Sequence, residues 1–121
     1  MSNLTTVELR PFLPSKDFKR STQFYEDLGF DIEPLGEDLA GIIHGAAKFF
    51  LSDSYTKEFA EGLQMHLLVE DVDSWWARAS RVIPNYGGSL DAVTTQPWGM
   101  RDFAFQDPAG VCWRVAEDAT S

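Results

Sequence analysis

The stretch LPSKDFKRSTQFYEDLGF, residues 13–30, contains the start and end signals of one helix. Ser15 and Asp17 offer side-chain oxygens that can cap the free backbone N–H groups of a first turn. Over residues 18–28, apolar and small residues recur at three- and four-residue spacing, and the charged residues lie away from that stripe. Gly29 follows as a residue that readily adopts the left-handed conformation that ends helices. The stretch therefore predicts an amphipathic helix over residues 18–28.

A second stretch repeats this pattern about half a chain later. Asp71 offers an N-cap oxygen, and residues 72–82 form a second helical pattern with Trp75, Ala79 and Val82 on one side. Adjacent Trp75 and Trp76 point about 100° apart, so only one of them is expected fully in the core. Short strands are predicted around both helices, at residues 5–13, 30–34, 40–44 and 48–51, and at residues 63–69, 90–94, 100–105 and 111–116. The order is βαβββ twice, which predicts an α+β fold in a single domain (residues 1–121) with internal repeats at about 4–52 and 63–117.

Pro11 lies inside the first predicted strand. Proline has no backbone N–H to donate to a β-ladder, and Pro14 follows directly after this strand. We therefore expect the strand to be an edge, a bend, or a place where the chain changes its pairing partner.

The chain is strongly acidic. Its 121 residues include 19 Asp and Glu against 10 Lys and Arg, a formal net charge of −9. Such a surface repels phosphate backbones and anionic bilayers, so neither nucleic acid nor a membrane is an expected partner.

The N-terminal residues show no apolar signal segment, and the apolar run at 40–51 is broken by His44 and Lys48. A cytoplasmic protein is expected. The single cysteine, Cys112, excludes an intramolecular disulfide and is expected to be a buried thiol.

Three motifs resemble one superfamily. The run at 13–30 looks like the opening of vicinal oxygen chelate proteins, which include glyoxalase I, fosfomycin resistance enzymes, extradiol dioxygenases and bleomycin resistance proteins. The tail QPWGMRDFAFQDPAG, residues 96–110, and EDLAG, residues 37–41, are similar to the bleomycin resistance branch. The resemblance implies two βαβββ modules in tandem, each a curved mixed sheet, that pair into a cleft.

Enzymes of this superfamily hold a divalent metal ion with residues from four strands. The matching positions here are Arg10, Gln64, Arg114 and a residue near Phe49. Arginine is a permanent cation with no acceptor atom, so we expect no metal, no cofactor and no catalytic residue. A cluster of His44, His66 and Gln64 is an alternative metal site, because Gln64 and His66 point to the same face of one strand.

The resemblance also indicates ligand-binding residues. Trp98, between Pro97 and Gly99, matches a tryptophan that stacks on the planar part of bleomycin, and the alternative is a tryptophan that plugs a barrel end. Leu39 matches the second stacking ring, and Ser52 matches a position near the ligand, although a solvent-facing turn serine is the simpler interpretation. The complete expected set is Trp98, Leu39, Phe50, Ser52, Gln64 and Trp113. Arg10 and Arg114 in the same pocket would favour an anion, whereas a bleomycin-type ligand is cationic, and the sequence leaves this open.

These residues lead to one functional hypothesis and two alternatives. The leading hypothesis is binding and sequestration, without catalysis, of an amphipathic aromatic small molecule, of bleomycin type or another cationic drug-like compound. The resemblance implies a homodimer whose two clefts each form between two chains, with Pro11 as the hinge at which the first strand crosses over. The alternatives are a metal-dependent lyase, isomerase or thiol transferase of the same superfamily, and a protein-binding domain that uses an exposed tryptophan.

Overall fold

Two four-stranded sheets and two long helices make up the fold of the computed structural model, which describes residues 2–118. The first half contains β1 (Phe12–Pro14), α1 (Phe18–Leu28), β2 (Asp31–Pro34), β3 (Leu39–His44) and β4 (Ala47–Ser52). A short helix, α2 (Lys57–Gly62), connects the halves. The second half contains β5 (Gln64–Leu68), α3 (Val72–Val82), β6 (Thr94–Thr95), β7 (Met100–Gln106) and β8 (Cys112–Asp118), and a 3₁₀ turn over Ile83–Tyr86 prolongs α3.

Both sheets have the same topology. The first sheet has the strand order β1-β4-β3-β2 and the second has the order β5-β8-β7-β6. In each sheet the first strand runs parallel to the last, and the other neighbours are antiparallel. The predicted α+β class with two mixed sheets is therefore confirmed.

The helix boundaries agree with the capping residues. Asp17 Oδ1 accepts the Arg20 N–H at 3.1 Å, and Asp71 Oδ1 accepts the Ser74 N–H at 3.2 Å. Gly29 ends α1 with a φ of 109°, in the left-handed region. Both helices span the residues that the sequence predicts, because caps and an amphipathic stripe give the same boundaries.

One hydrophobic cluster joins the two halves. The rings of Phe49 in β4 and Trp113 in β8 lie 5.5 Å apart, centroid to centroid. Tyr25 of α1 packs against both, donates its hydroxyl hydrogen to Asp107, and accepts the indole N–H of Trp113 at 3.0 Å. Burial raises the pKa of Tyr25 well above its usual range and also raises the pKa of Asp107. The core sides of the two sheets thus face each other, and their other sides point away from each other.

Two predicted strands are shorter than expected. Residues 5–11 form no strand: β4 starts at Ala47, which the register places opposite Leu9, so the residues before Leu9 have no β4 backbone opposite them, and Pro11 has no N–H to donate. Of residues 90–94 only Thr94 lies in a strand, β6, while Leu90 forms an isolated bridge with Phe105 and the Asp91 N–H donates to the Ala104 carbonyl, and side chains add further bonds to this segment. Asp91, for example, accepts the indole N–H of Trp76 through its carbonyl oxygen.

The two adjacent tryptophans share the burial more evenly than expected. Trp75 packs against Phe30 and His44, and Trp76 binds Asp91, so both side chains are half-buried. Among residues 2–118, the helices are all too short or too polar to cross a bilayer.

Candidate ligand-binding faces

The side of the first sheet that points away from the core is here called the first open face. In β1 and β4, Leu13 and Leu51 are buried, so their neighbours Phe12, Phe50 and Ser52 point outward. The residues of this face are Phe12, Leu39, Gly41, Ile43, Lys48, Phe50 and Ser52, with Arg10 and Glu33 beside them. Phe12 has 58% of its surface exposed, so the face presents apolar area to solvent.

Aromatic rings and one guanidinium form the centre of the first open face. The Phe12 and Phe50 rings lie 4.9 Å apart, and the Arg10 guanidinium lies 4.9 Å from the Phe50 ring centroid. Because Gly41 has no side chain, the side chains of Glu33 and Arg10 can lie close to its backbone. A Cβ there would lie 2.7 Å from Glu33 Oε1 and 3.1 Å from Arg10 Nη1.

The cations on this face are paired with carboxylates. Arg10 Nε lies 2.7 Å from Glu8 Oε1, and Arg10 Nη1 lies 3.6 Å from Glu33 Oε1. Lys48 Nζ lies 3.2 Å from Glu8 Oε2. Hydrogen bonds from Lys48 and Arg10 lower the pKa of Glu8. Arg10 therefore gives the face no net positive charge.

Leu39 and Ser52 are opposite each other in the β3–β4 ladder. The Ser52 hydroxyl donates to the Leu13 carbonyl oxygen at 3.4 Å and lies 3.0 Å from the Ser54 hydroxyl. Leu39 is half-buried and contributes an apolar surface. These two residues and Phe50 form one continuous patch.

The second open face is the equivalent side of the second sheet. It carries Gln64, His66, Leu68, Asp102, Ala104, Cys112 and Arg114. Arg114 Nη1 lies 3.1 Å from Asp102 Oδ1, and the Gln96 amide donates to the same oxygen at 2.9 Å. Asp102 is only 2% exposed, and its Oδ2 is buried without a hydrogen-bond partner among residues 2–118. The Arg114 charge is thus also compensated.

Trp98 lies in the turn between β6 and β7, next to the second open face. The Gly99 N–H donates to the Gln96 carbonyl at 3.0 Å, and the Gln96 N–H donates to the Met100 carbonyl at 2.7 Å. Pro97 suits the second position of this turn, and Gly99, with a φ of 92°, closes it. The turn leaves Trp98 67% exposed.

The family comparison agrees with this geometry. A family model described as the glyoxalase/bleomycin resistance protein/dioxygenase superfamily matches residues 6–115. The chain belongs to this superfamily. No curated protein sequence matches it significantly.

Solved structures show the same superfamily fold. A bleomycin-binding protein in complex with bleomycin is 24% identical, with 93% of this chain and 98% of that chain covered and a TM-score of 0.77. A bleomycin resistance determinant encoded on the transposon Tn5 is also 24% identical, covers 93% and 98%, and has a TM-score of 0.78. TnmS3, an antibiotic-binding protein from Streptomyces sp. CB03234, is 23% identical, covers 96% and 99%, and has a TM-score of 0.74.

The residues at the metal positions of the superfamily do not fit a metal ion. Phe49 is buried in the core. Phe50 pairs with Phe12 in the first sheet as Arg114 pairs with His66 in the second, so Phe50 occupies the position equivalent to Arg114. The outward residues are then Arg10, Phe50, Gln64 and Arg114, which offer one neutral ligand and two cations. His44 contacts Gly29 and Trp75 on the core side, away from Gln64 and His66. Within residues 2–118, no group of three or more His, Cys, Asp or Glu side chains is placed to hold a metal.

The expected binding residues fall into three places. Leu39, Phe50 and Ser52 lie on the first open face, Gln64 lies on the second, and Trp98 lies in the β6–β7 turn of the second sheet. Trp113 lies in the core, where its ring stacks on Phe105, so we leave it out of the proposed site. Pro11 accepts the Phe50 N–H at 2.8 Å through its carbonyl and has no strand before it.

Three features of the open faces were missed in the sequence. Phe12 and Asp102 alternate with buried Leu13 and Phe103, and this period of two was sufficient to place both outward. Cys112, expected to be buried, is half-buried for the same reason, because it alternates with the buried Trp113.

Proposed function

We propose that two copies of this chain bind amphipathic aromatic small molecules, without chemical change, in clefts between the first open face of one copy and the second open face of the other. The observation that carries the proposal is the exposed Trp98 ring at the second open face. A large ring that is held by a tight turn and left uncovered is suited to stack on a planar ligand. The fold shared with a bleomycin-binding protein and an antibiotic-binding protein supports a ligand of antibiotic type.

Two features of the single chain support the dimer: open faces that point in opposite directions, and an exposed apolar N-terminal segment. The open faces point away from each other, so Phe50 on the first and Gln64 on the second cannot meet one ligand within a single chain. Residues 2–11 extend beyond the first sheet with exposed apolar side chains, Leu4, Val7 and Leu9 among them. In the proposed dimer this arm crosses at Pro11 and covers those side chains against the partner.

The charge distribution is compatible with a cationic ligand. Arg10, Lys48 and Arg114 are all paired with carboxylates, and the chain as a whole carries −9. The acidic surface attracts cations at long range, and neither open face presents an unpaired arginine to repel them.

The test is isothermal titration calorimetry with bleomycin and with ethidium, a second planar cation. For a ligand that binds, Trp98→Ala should weaken binding about tenfold, and Trp98→Phe should retain part of the affinity. Phe59→Ala is the matched control, because Phe59 is an exposed ring on α2 that belongs to neither open face. The proposal fails if neither compound binds, or if Trp98→Ala binds as tightly as the unmodified chain. Recovery of chemically altered ligand would instead favour an enzyme.

A further inference from the structure

A groove on the helix side of the molecule is separate from both open faces. It has a volume of about 500 Å³ and lies where the end of α1, the end of β3 and the exposed side of α3 meet. Its lining includes Leu28, His44, Ser74, Trp75, Arg78 and Arg81. His44 lies at the end of β3 on the same side as the core residues Ala40 and Ile42, and there it points into the groove.

The two arginines of this groove lack carboxylate partners. Arg78 donates only to the backbone carbonyl of Asp27, at 3.4 Å, and Arg81 has no side-chain hydrogen bond or ion pair within residues 2–118. Arg10, Arg101 and Arg114 are each paired with at least one carboxylate. In a chain with 19 acidic and 10 basic residues, two unpaired arginines in one groove are an uncommon concentration of positive charge.

The groove itself carries no compensating negative charge. Among the described residues that line it, none is Asp or Glu. By contrast, Glu61 and Asp107 line the cavity at the junction of the two halves. A concave surface of one sign raises the local concentration of ions of the opposite sign.

An aromatic wall lies beside the two guanidinium groups. Trp75 is half-buried, with its ring 5.2 Å from the His44 ring and 6.1 Å from the Phe30 ring, both nearly edge to face. Leu28 adds an aliphatic surface. Because these contacts hold the Trp75 ring in place, its exposed side can pack against the apolar part of a ligand.

We propose that this groove binds a small organic anion, with an aromatic or aliphatic body against Trp75 and Leu28 and a carboxylate or sulfonate on Arg78 and Arg81. Arginine suits this role because its planar donors match two oxygens at once. His44 and Ser74, whose hydroxyl donates to Asp71 Oδ2 at 2.7 Å, also line the groove. The proposal does not depend on the open-face site, since no residue is shared between them.

The test is NMR titration of the ¹⁵N-labelled chain with naphthalene-2-sulfonate, observed at the Trp75 indole and the arginine Nε–H resonances. The matched compounds are neutral naphthalene-2-sulfonamide and inorganic phosphate. The variants are Arg78→Gln and Arg81→Gln, with Lys19→Gln as a control that removes the same charge from α1. Thermal melting of each variant establishes that it is folded.

The expected result is saturable shifts of Trp75 with the sulfonate at sub-millimolar concentration. Each arginine variant should weaken binding about tenfold, while Lys19→Gln binds normally. The absence of a saturable shift at millimolar sulfonate would overturn the proposal, as would equal binding of the neutral sulfonamide. Phosphate that binds as tightly as the sulfonate would show that the apolar wall contributes nothing, and would also overturn it.

Discussion

Tyr25 links the two halves of the core through its hydroxyl, and Tyr25→Phe removes only that atom. The hydroxyl donates to Asp107 and accepts the Trp113 indole N–H, so the substitution leaves two buried polar groups without this partner. Asp107 keeps the backbone N–H groups of Ala109 and Val111, each at 2.9 Å. A phenylalanine ring fills the same core volume, so the effect reports the hydrogen bonds alone.

The expected loss of unfolding free energy is about 3 kcal/mol. A hydrogen bond to a charged group contributes about 1.5–3 kcal/mol, and an unsatisfied buried donor costs about 1–3 kcal/mol. The two effects share one oxygen and are not additive, so we take the upper end of either range and not their sum. Urea denaturation followed by far-UV circular dichroism measures the difference.

The loss should depend on pH. Burial already raises the pKa of Asp107, and the hydrogen bond from Tyr25 opposes that shift. Without the hydroxyl, the pKa of folded Asp107 rises further, so the folded variant takes up a proton at higher pH than the unmodified protein does. A raised folded pKa gives stability that is present at low pH and is lost as the pH increases. The loss caused by Tyr25→Phe should therefore be largest at neutral pH and smaller in acid.

Tyr86→Phe is the matched control. The Tyr86 hydroxyl also donates to a carboxylate, Asp27 Oδ2 at 2.7 Å, and burial raises the pKa of Tyr86 to about 12. Because this bond lies at the surface, its loss should cost less than about 1 kcal/mol. If Tyr25→Phe lowers the free energy of unfolding no more than Tyr86→Phe does, or if this loss does not change with pH, the buried hydrogen bonds of Tyr25 do not link the two halves as we infer.

Three further substitutions test the helix starts and the second open face. Asp17→Ala removes the N-cap of α1 and should lower the free energy of unfolding by about 1 kcal/mol, measured by urea denaturation. Asp71→Asn keeps a capping oxygen but cannot titrate. Hydrogen bonds from Ser74 lower the pKa of Asp71, so the charged cap stabilises the unmodified protein until the pH falls through that lowered pKa. The stability of the variant should not show this loss in acid. Asp102→Asn removes the charge partner of Arg114 and should weaken the binding of a cationic ligand more than that of a neutral one, measured by calorimetry. Equal weakening of both ligands would contradict the charge argument.

The sequence was most informative where several local signals coincide. Asp17, the apolar stripe and Gly29 all mark the same helix, so the boundaries of α1 agree with the prediction. The residues before Phe12 look like a strand, but strand pairing depends on a partner, and β4 begins too late along the chain to pair with residues 5–8. The strand predicted at residues 90–94 is reduced to an isolated bridge at Leu90 and to Thr94 in β6, and the segment also bonds Trp76, which lies far away in sequence.

The candidate site was only partly accessible to such reasoning. Alternation along β4 and β8 places Phe50 and Arg114 outward, but it does not reveal that Asp102 neutralises Arg114. The groove at Arg78 and Arg81 was missed entirely. It depends on how α3 packs against α1 and on a lining that, among the described residues, includes no Asp or Glu, and neither is a local property of the sequence.

Native mass spectrometry of the chain with bleomycin and with ethidium tests the central proposal most directly. We expect a dimer that takes up two molecules of at least one of these compounds, and about tenfold weaker uptake in Trp98→Ala with the dimer retained. A monomer that binds neither compound, or a dimer whose uptake is unchanged in Trp98→Ala, would contradict a ligand site formed by Trp98 between two chains.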